Sequence, residues 1–285
     1  PAIAVPELGR HVGEFAAGFY RDPSASLFGI GITGTNGKTT SSHWMAQLFT
    51  HLGEKCAAIG TIGCFMEGHS FESAPLTTPD AVTLQGLYRT LVKNQAKAFA
   101  IEASSIGLEQ GRLQGTRFDV AVFTNLTRDH LDYHHDMQAY ERAKGILFDW
   151  PGLQHAVINI DDGAGCRFAE RCAHRGIHTI VTTMRGAIAL TGTHLLAAEN
   201  VRPMPEGMQF DIVFGAERHT VNLSVFGAFN ISNLLGVIGA ALCRGFALSE
   251  IVEKLPLLIA PAGRMQKVLH DGAALAIVDY SHTPD

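Results

Sequence analysis

The stretch Gly29-Ile30-Gly31-Ile32-Thr33-Gly34-Thr35-Asn36-Gly37-Lys38-Thr39-Thr40 constrains this chain more than any other. An apolar run over residues 27–32 enters a glycine-rich turn and leaves it as a helix, in which Trp44, Met45, Leu48, Phe49 and Leu52 recur at helical spacing. Strand, turn and helix in that order make a phosphate cradle. The turn's N–H groups point at a polyphosphate and the helix N-terminus adds partial positive charge, while Lys38 reaches the terminal phosphates and Thr39 offers its hydroxyl to Mg2+. The general nucleotide pattern has glycine where Ile32 stands, so the match is to Gly37-Lys38-Thr39 with an offset glycine pair. The competing reading is an ordinary glycine-rich turn with a chance lysine, and the strand–turn–helix context speaks against it.

With 285 residues, 46% of them hydrophobic, the chain can bury a large core as one domain or two. The formal net charge of −5 with no basic run argues against nucleic acid as a partner. No apolar run is long and charge-free enough to span a bilayer, and residues 1–8 lack the plan of a signal peptide. Five cysteines, an odd number without a Cys-x-x-Cys pair, fit free thiols in a reducing compartment, and a cytoplasmic location is expected.

Residues 10–20 place Val12, Phe15, Ala16 and Phe19 on one face, predicting a short amphipathic helix closed by Asp22-Pro23-Ser24. A second apolar strand is expected over 55–62 and a surface excursion over 63–75. Thr77-Thr78-Pro79-Asp80 then caps a helix that buries Val82, Leu84, Leu87 and Leu91. Strands follow over 98–103, 118–124, 156–160 and 179–182, with a helix after Asp136 and another over 166–174. Uninterrupted apolar runs alternating with helices predict a doubly wound, mostly parallel α/β sheet. Residues 186–226 read instead as a small antiparallel β subdomain, followed by helices over 230–243 and 249–255 and strands over 266–270 and 274–280. Ligands use the carboxyl ends of strands in such sheets, which brings residues 34–40, 102–104 and 125–130 to one crevice.

Three features there carry chemistry. Glu102 is a carboxylate at the end of an apolar strand, either a Mg2+ ligand through oxygen or a capping or salt-bridged residue. The run Asn125-Leu126-Thr127-Arg128-Asp129-His130-Leu131-Asp132-Tyr133-His134-His135 is dense in His and Asp, a ligand cluster or scattered surface histidines. Lys144, among apolar helical neighbours, is a snorkelling surface lysine or a buried amine of lowered pKa, and sequence favours the former.

Residues 31–40, 102–107 and 125–134, Lys144, residues 227–235, Gly263-Arg264-Met265 and Asp279-Tyr280-Ser281-His282-Thr283-Pro284-Asp285 occur in the order seen in the Mur ligases. The chain resembles the branch that adds the third residue of the peptidoglycan stem peptide. Many members carry His where Ile106 stands, a variation beside the substrate. The resemblance implies ATP-dependent amide formation through an acyl phosphate, adding an amino acid to UDP-N-acetylmuramoyl-L-alanyl-D-glutamate. Diaminopimelate is expected over lysine on family frequency alone. It implies that Thr39 and Glu102 hold one Mg2+, and that Glu102 and His130 hold a second with a carbamylated Lys144. Gly34, Thr35, Asn36, Gly37, Lys38, Thr39 and Thr40 would wrap the phosphates of ATP, Asn230 would face the adenine, Arg264 the phosphates and Asp279 the ribose. Thr77, Thr78, Ser104, Gln110 and Arg112 would line the UDP-muramoyl-dipeptide site.

The family has three domains, and the resemblance is mainly to the middle one. Residues 1–24 are expected to link from an amino-terminal domain, 25–260 to form the central ATP-binding domain and 261–285 to begin the carboxy-terminal one, in a monomer. Two rival readings are a folylpolyglutamate-synthetase-like ligase, opposed by residues 77–80 and 279–285, and a nucleotide-binding module without chemistry, opposed by Glu102, His130 and Lys144 together.

Overall fold

The computed structural model describes residues 8–71, 76–186, 190–268 and 276–280. The chain opens with α1 (Val12–Tyr20), β1 (Phe28–Thr33) and α2 (Lys38–His51). β2 (Cys56–Gly60) leads into a hairpin, β3 (Gly63–Met66) and β4 (His69–Phe71), and then α3 (Ala81–Lys93). β5 (Ala98–Glu102) and α4 (Ser105–Glu109) precede β6 (Val120–Phe123), a short α5 (Leu131–His134) and α6 (Met137–Gly145). β7 (His155–Asn159), α7 (Gly163–His174) and β8 (His178–Thr183) continue the alternation. β9 (Thr193–Met204), β10 (Gly207–Phe214) and β11 (Glu217–Leu223) form a meander before α8 (Ala228–Arg244) and α9 (Leu248–Lys254). β12 (Gln266–Val268) and β13 (Ala276–Val278) make a separate ribbon.

The first eleven strands form one sheet in the order β11-β10-β9-β8-β7-β6-β1-β5-β2-β3-β4. Pairing is parallel from β9 across to β2, as the alternating pattern predicts, and antiparallel at both margins. The antiparallel strands extend this sheet, because β9 pairs in parallel with β8 from Thr179↔Thr193 to Thr183↔Ala197. The expected surface excursion is a hairpin on the opposite margin, Cys64 and Met66 being buried alternately with half-buried neighbours. Residues 72–75, 269–275 and 281–285, on which parts of that excursion, the last strands and the closing motif fall, lie outside the described residues.

Side chains alternate across the sheet and build a core on each face. Ile30 and Ile32 meet Trp44, Leu48 and Phe49 of α2 and Leu234 and Ile238 of α8 on one side. Phe99, Ile101 and Phe123 meet Leu84, Tyr88 and Leu91 of α3 and Phe168 of α7 on the other. Each such large apolar side chain contributes roughly 1.5–3 kcal/mol. Asp80 caps α3 as expected, accepting from Val82 N and Thr83 N at 3.0 Å, but Val82 itself is 45% exposed.

The face assigned to α1 holds at Ala16 but not at its two phenylalanines. Phe15 and Phe19 are 57% and 81% exposed, whereas Gly13, Ala16 and Ala17 are buried. A Cβ at Gly13 would collide with the Gln114 carbonyl, so the backbone approaches on its small-residue side and the bulky side chains are left outside.

Candidate active site

β1, β5 and β6 are adjacent and parallel, so the residues after their carboxyl ends meet over one stretch of sheet edge. The loop after β1 is glycine-dependent at two points. Gly34 has φ 149° and a Cβ there would strike Thr124 Oγ1, while Gly37 has φ 86° and a Cβ would strike Asn233 Oδ1. Neighbouring side chains fix the loop's shape. Asn36 N donates to Asn125 Oδ1 at 2.9 Å, Thr124 Oγ1 donates to Asn36 O at 2.6 Å, and Thr35 Oγ1 accepts from Thr127 N at 3.0 Å and meets Tyr140 OH at 3.2 Å. Lys38 Nζ folds over the same loop, donating to Gly34 O at 2.9 Å and Thr35 O at 2.8 Å. Burial lowers its pKa, Glu102 and Asp129 push it back up, and Arg264 lowers it further.

Glu102 is 1% exposed at the end of β5. Its Oε1 accepts from Thr61 N at 2.9 Å, and its Oε2 from Thr39 Oγ1 at 3.1 Å and Thr61 Oγ1 at 3.2 Å. Burial raises its pKa, against the opposing pull of Lys38 and these three donors. A hard oxygen pair, Thr39 Oγ1 and Glu102 Oε2, thus sits beside the loop at a spacing close to the roughly 2.9 Å between adjacent oxygens on octahedral Mg2+. The donor set suits that ion.

Lys144 is 1% exposed, so the buried alternative holds and the snorkelling one does not. Its Nζ donates to Gly34 O at 2.8 Å and lies 4.2 Å from the centroid of the Tyr140 ring, where burial first and then Lys38 lower its pKa well below the ordinary value. His130 also neighbours Tyr140, ring centroids 6.2 Å apart, and its Nε2 is 3.4 Å from Asp129 Oδ2. Its side chain is 49% exposed. His134, by contrast, is a packed residue, its ring 5.0 Å from that of Tyr140 and its Nε2 2.9 Å from Ser105 Oγ.

Two connected hollows hold most of the residues singled out by sequence. The smaller, about 260 Å³, is walled by Thr35 to Thr40, Thr77, Glu102, Ser104, His130 and Arg264. The larger, about 500 Å³, shares Asn36, Gly37, Thr40, Arg264 and Tyr280 with it and adds Asn230 and Asp279. Asn230 is fixed by donating to Phe226 O at 2.8 Å, and Asp279 accepts from Met265 N at 2.7 Å. Thr78 lies just behind the wall, its Oγ1 2.7 Å from Glu102 O and 2.8 Å from Ser104 Oγ. Arg112 Nη2 donates to Gln110 Oε1 at 2.7 Å and Nη1 to Thr78 O at 3.1 Å, which ties that pair to the same corner. Gly34 and Lys144 stand behind the loop, off the wall. Sequence reasoning missed Thr61, which supplies two of the donors to Glu102, and the loop-bracing roles of Asn125 and Tyr140. Asn125 carried a signal, a polar residue ending an apolar strand; Thr61 and Tyr140 carried none.

Residues 32–241 match the family model described as the Mur ligase middle domain. A UDP-N-acetylmuramoyl-L-alanyl-D-glutamate--2,6-diaminopimelate ligase of Janthinobacterium sp. is 46% identical over 289 residues, spanning 99% of this chain and 57% of its own. The protein of that name from Pseudomonas aeruginosa is 43% identical over 290 residues, spanning 100% and 57%. A solved structure of a ligase of this name superposes with a TM-score of 0.84 at 34% identity over 99% of this chain and 57% of the other. A structure described as an FPGS-AMPPCP-folate complex has a TM-score of 0.72 at 15% identity, which shows a shared fold. The chain therefore spans 57% of the length of the first two relatives, and it belongs to the Mur ligase family.

Proposed function

We propose that this chain is the central, ATP-binding part of a carboxylate–amine ligase that adds meso-diaminopimelate to UDP-N-acetylmuramoyl-L-alanyl-D-glutamate. Residues 1–24 lead in from a preceding domain and 261–285 begin the one that closes on the nucleotide. The observation that carries this reading is the buried Glu102 carboxylate, held against Thr39 at the mouth of a braced glycine loop with Lys38 beside it. The relatives' names supply the choice of amino acid.

The chain's residues divide the work. Loop N–H groups and Lys38 bind the β- and γ-phosphates, for which Lys38 exchanges its bonds to Gly34 O and Thr35 O. Asn230 and Asp279 hold the nucleoside and Arg264 the phosphates, while Thr77, Thr78, Ser104, Gln110 and Arg112 orient the muramoyl-dipeptide. Thr39 and Glu102 would hold one Mg2+, and Glu102, His130 and Lys144 a second. Bound there, Mg2+ neutralises charge on the transferring phosphoryl group, which needs alignment and electrostatic stabilisation more than covalent help. The substrate's carboxylate oxygen attacks the γ-phosphorus as ADP leaves, and the amine of diaminopimelate then attacks the acyl phosphate and expels inorganic phosphate.

Carbamylation of Lys144 needs its neutral amine, whose share burial increases. The carbamate would keep one N–H on Nζ, able to donate to Gly34 O as the amine does, and would add carboxylate-like oxygens that accept. ADP release by the full-length enzyme tests the proposal. Sustained release should require both UDP-N-acetylmuramoyl-dipeptide and diaminopimelate, whereas a module without chemistry would release none and a folate-type ligase would respond to folate and glutamate.

A further inference from the structure

A cluster of softer donors lies at the opposite edge of the sheet from the phosphate loop. His155 and His178 are the first residues of β7 and β8 and pair in parallel register, so both side chains project from one face. That face is the one α8 covers, since Val157, two residues along β7, touches the position of Gly239. Cys243, in the last turn of α8, is thereby brought to both histidines. His155 Nδ1 is 3.4 Å from His178 Nδ1, and one ring nitrogen of each histidine and Cys243 Sγ all lie within 4.8 Å of one another. The His178 ring also stacks on His194 of β9, with centroids 4.7 Å apart and planes inclined by 27°, which holds its orientation.

We propose that His155, His178 and Cys243 form a binding site for a borderline-soft divalent transition-metal ion, with Zn2+ as its principal ligand and the fourth position open to solvent. In a tetrahedral zinc site adjacent nitrogens are about 3.3 Å apart and nitrogen and sulfur about 3.6 Å. The two imidazoles already stand at the first spacing. The sulfur has at most about 1.2 Å to close, within reach of a side-chain rotation.

The chemistry of the donors fits the same ion. Burial and their histidine neighbours lower the pKa of both His155 and His178, which keeps them in the neutral form that ligates. Burial pushes the Cys243 thiol up to about 12, so the S–H proton leaves to solvent only as the sulfur–metal bond forms. Two imidazoles and a thiolate without a carboxylate favour Zn2+ over Mg2+, so the site does not compete for the ion of the nucleotide crevice. Occupied, it ties the end of α8 to β7 and β8.

Cobalt substitution tests this on the 285-residue chain. Metal-free protein titrated with Co2+ should develop, at one equivalent, a thiolate-to-cobalt charge-transfer band and the strong visible bands of a tetrahedral ion, and one equivalent of Zn2+ should abolish both. Oxygen ligands at Thr39 and Glu102 give no charge-transfer band, so that band isolates the cluster. Cys243→Ser should remove it and Cys166→Ser, on α7, should leave it unchanged. His178→Gln, at an exposed position whose loss the fold tolerates, should weaken Zn2+ binding by at least about tenfold. Co2+ binding without the band, a band that survives Cys243→Ser, or a Zn2+ affinity in His178→Gln within twofold of the parent would overturn the proposal.

Discussion

Replacing Glu102 by Gln removes a charge and keeps the shape, which separates the cost of the carboxylate from its use. The amide oxygen can still accept from Thr61 N, and the amide NH2 can donate to the Thr39 and Thr61 hydroxyls, so the fold should survive. Three hydrogen bonds to a charged group, each roughly 1.5–3 kcal/mol, oppose a desolvation penalty of several kcal/mol. The pKa is raised, so the penalty outweighs these bonds and the charged carboxylate is a net cost in the metal-free protein. At about 2.1 cal/mol/K per residue, 1 kcal/mol corresponds to about 2 °C in a chain of this length. Metal-free Glu102→Gln should therefore melt above the parent at pH 7, by about 2 °C for each kcal/mol of that cost.

The sign of the pH dependence follows from the direction of the shift. A carboxyl whose folded pKa is raised above 4.5 contributes fully below that pH and loses its contribution as pH rises through the folded value, so the variant's advantage should vanish toward pH 4.5. Mg2+ with a non-hydrolysable ATP analogue at 100 times Kd should add about 2.7 kcal/mol, or about 5 °C, to the parent. The variant should lose most of that Mg2+-dependent increment. Scanning fluorimetry of both chains, with and without chelator, reads all three effects. A lower melting temperature for the metal-free variant, or an unchanged response to Mg2+, would refute a buried carboxylate poised for a cation.

Lys38→Ala should leave melting within about 1 °C, since its bonds are to loop carbonyls, and should weaken a fluorescent ATP analogue at least tenfold in a direct titration. Gly37→Ala forces a left-handed residue against Asn233, costing about 1–2 kcal/mol for the backbone alone, so melting should fall by at least about 2 °C and analogue binding should weaken in parallel. In the full-length enzyme Lys144→Ala should be nearly inactive and partly rescued by formate or acetate. Wild-type activity in Lys144→Arg would rule out a carbamate there.

Local patterns were legible in the sequence and non-local pairings were not. The phosphate loop, the Asp80 cap and the central parallel strands could be read because each is encoded within a dozen residues. The burial of Lys144 could not, because the groups that enclose it include Gly34, 110 positions earlier. The antiparallel character of the β9–β11 meander was legible, but its junction with β8 is a pairing between segments that periodicity cannot connect. Phe15 and Phe19 of α1 were misassigned because close approach to the Gln114 carbonyl turns the small residues Gly13, Ala16 and Ala17 inward. At the site, strand ends marked where ligands should converge, but the donors to Glu102 from Thr61 depend on a turn after β2 that carries no motif.

The ligase reading is tested most directly by following oxygen. Full-length enzyme containing these residues is supplied with UDP-N-acetylmuramoyl-L-alanyl-D-glutamate labelled with 18O in the reacting carboxylate, together with Mg·ATP and diaminopimelate, and the released phosphate is analysed by mass spectrometry. Attack of that carboxylate on the γ-phosphorus predicts one labelled oxygen in phosphate per turnover, lost together with turnover in Lys38→Ala. Unlabelled phosphate from a turning-over enzyme would contradict it.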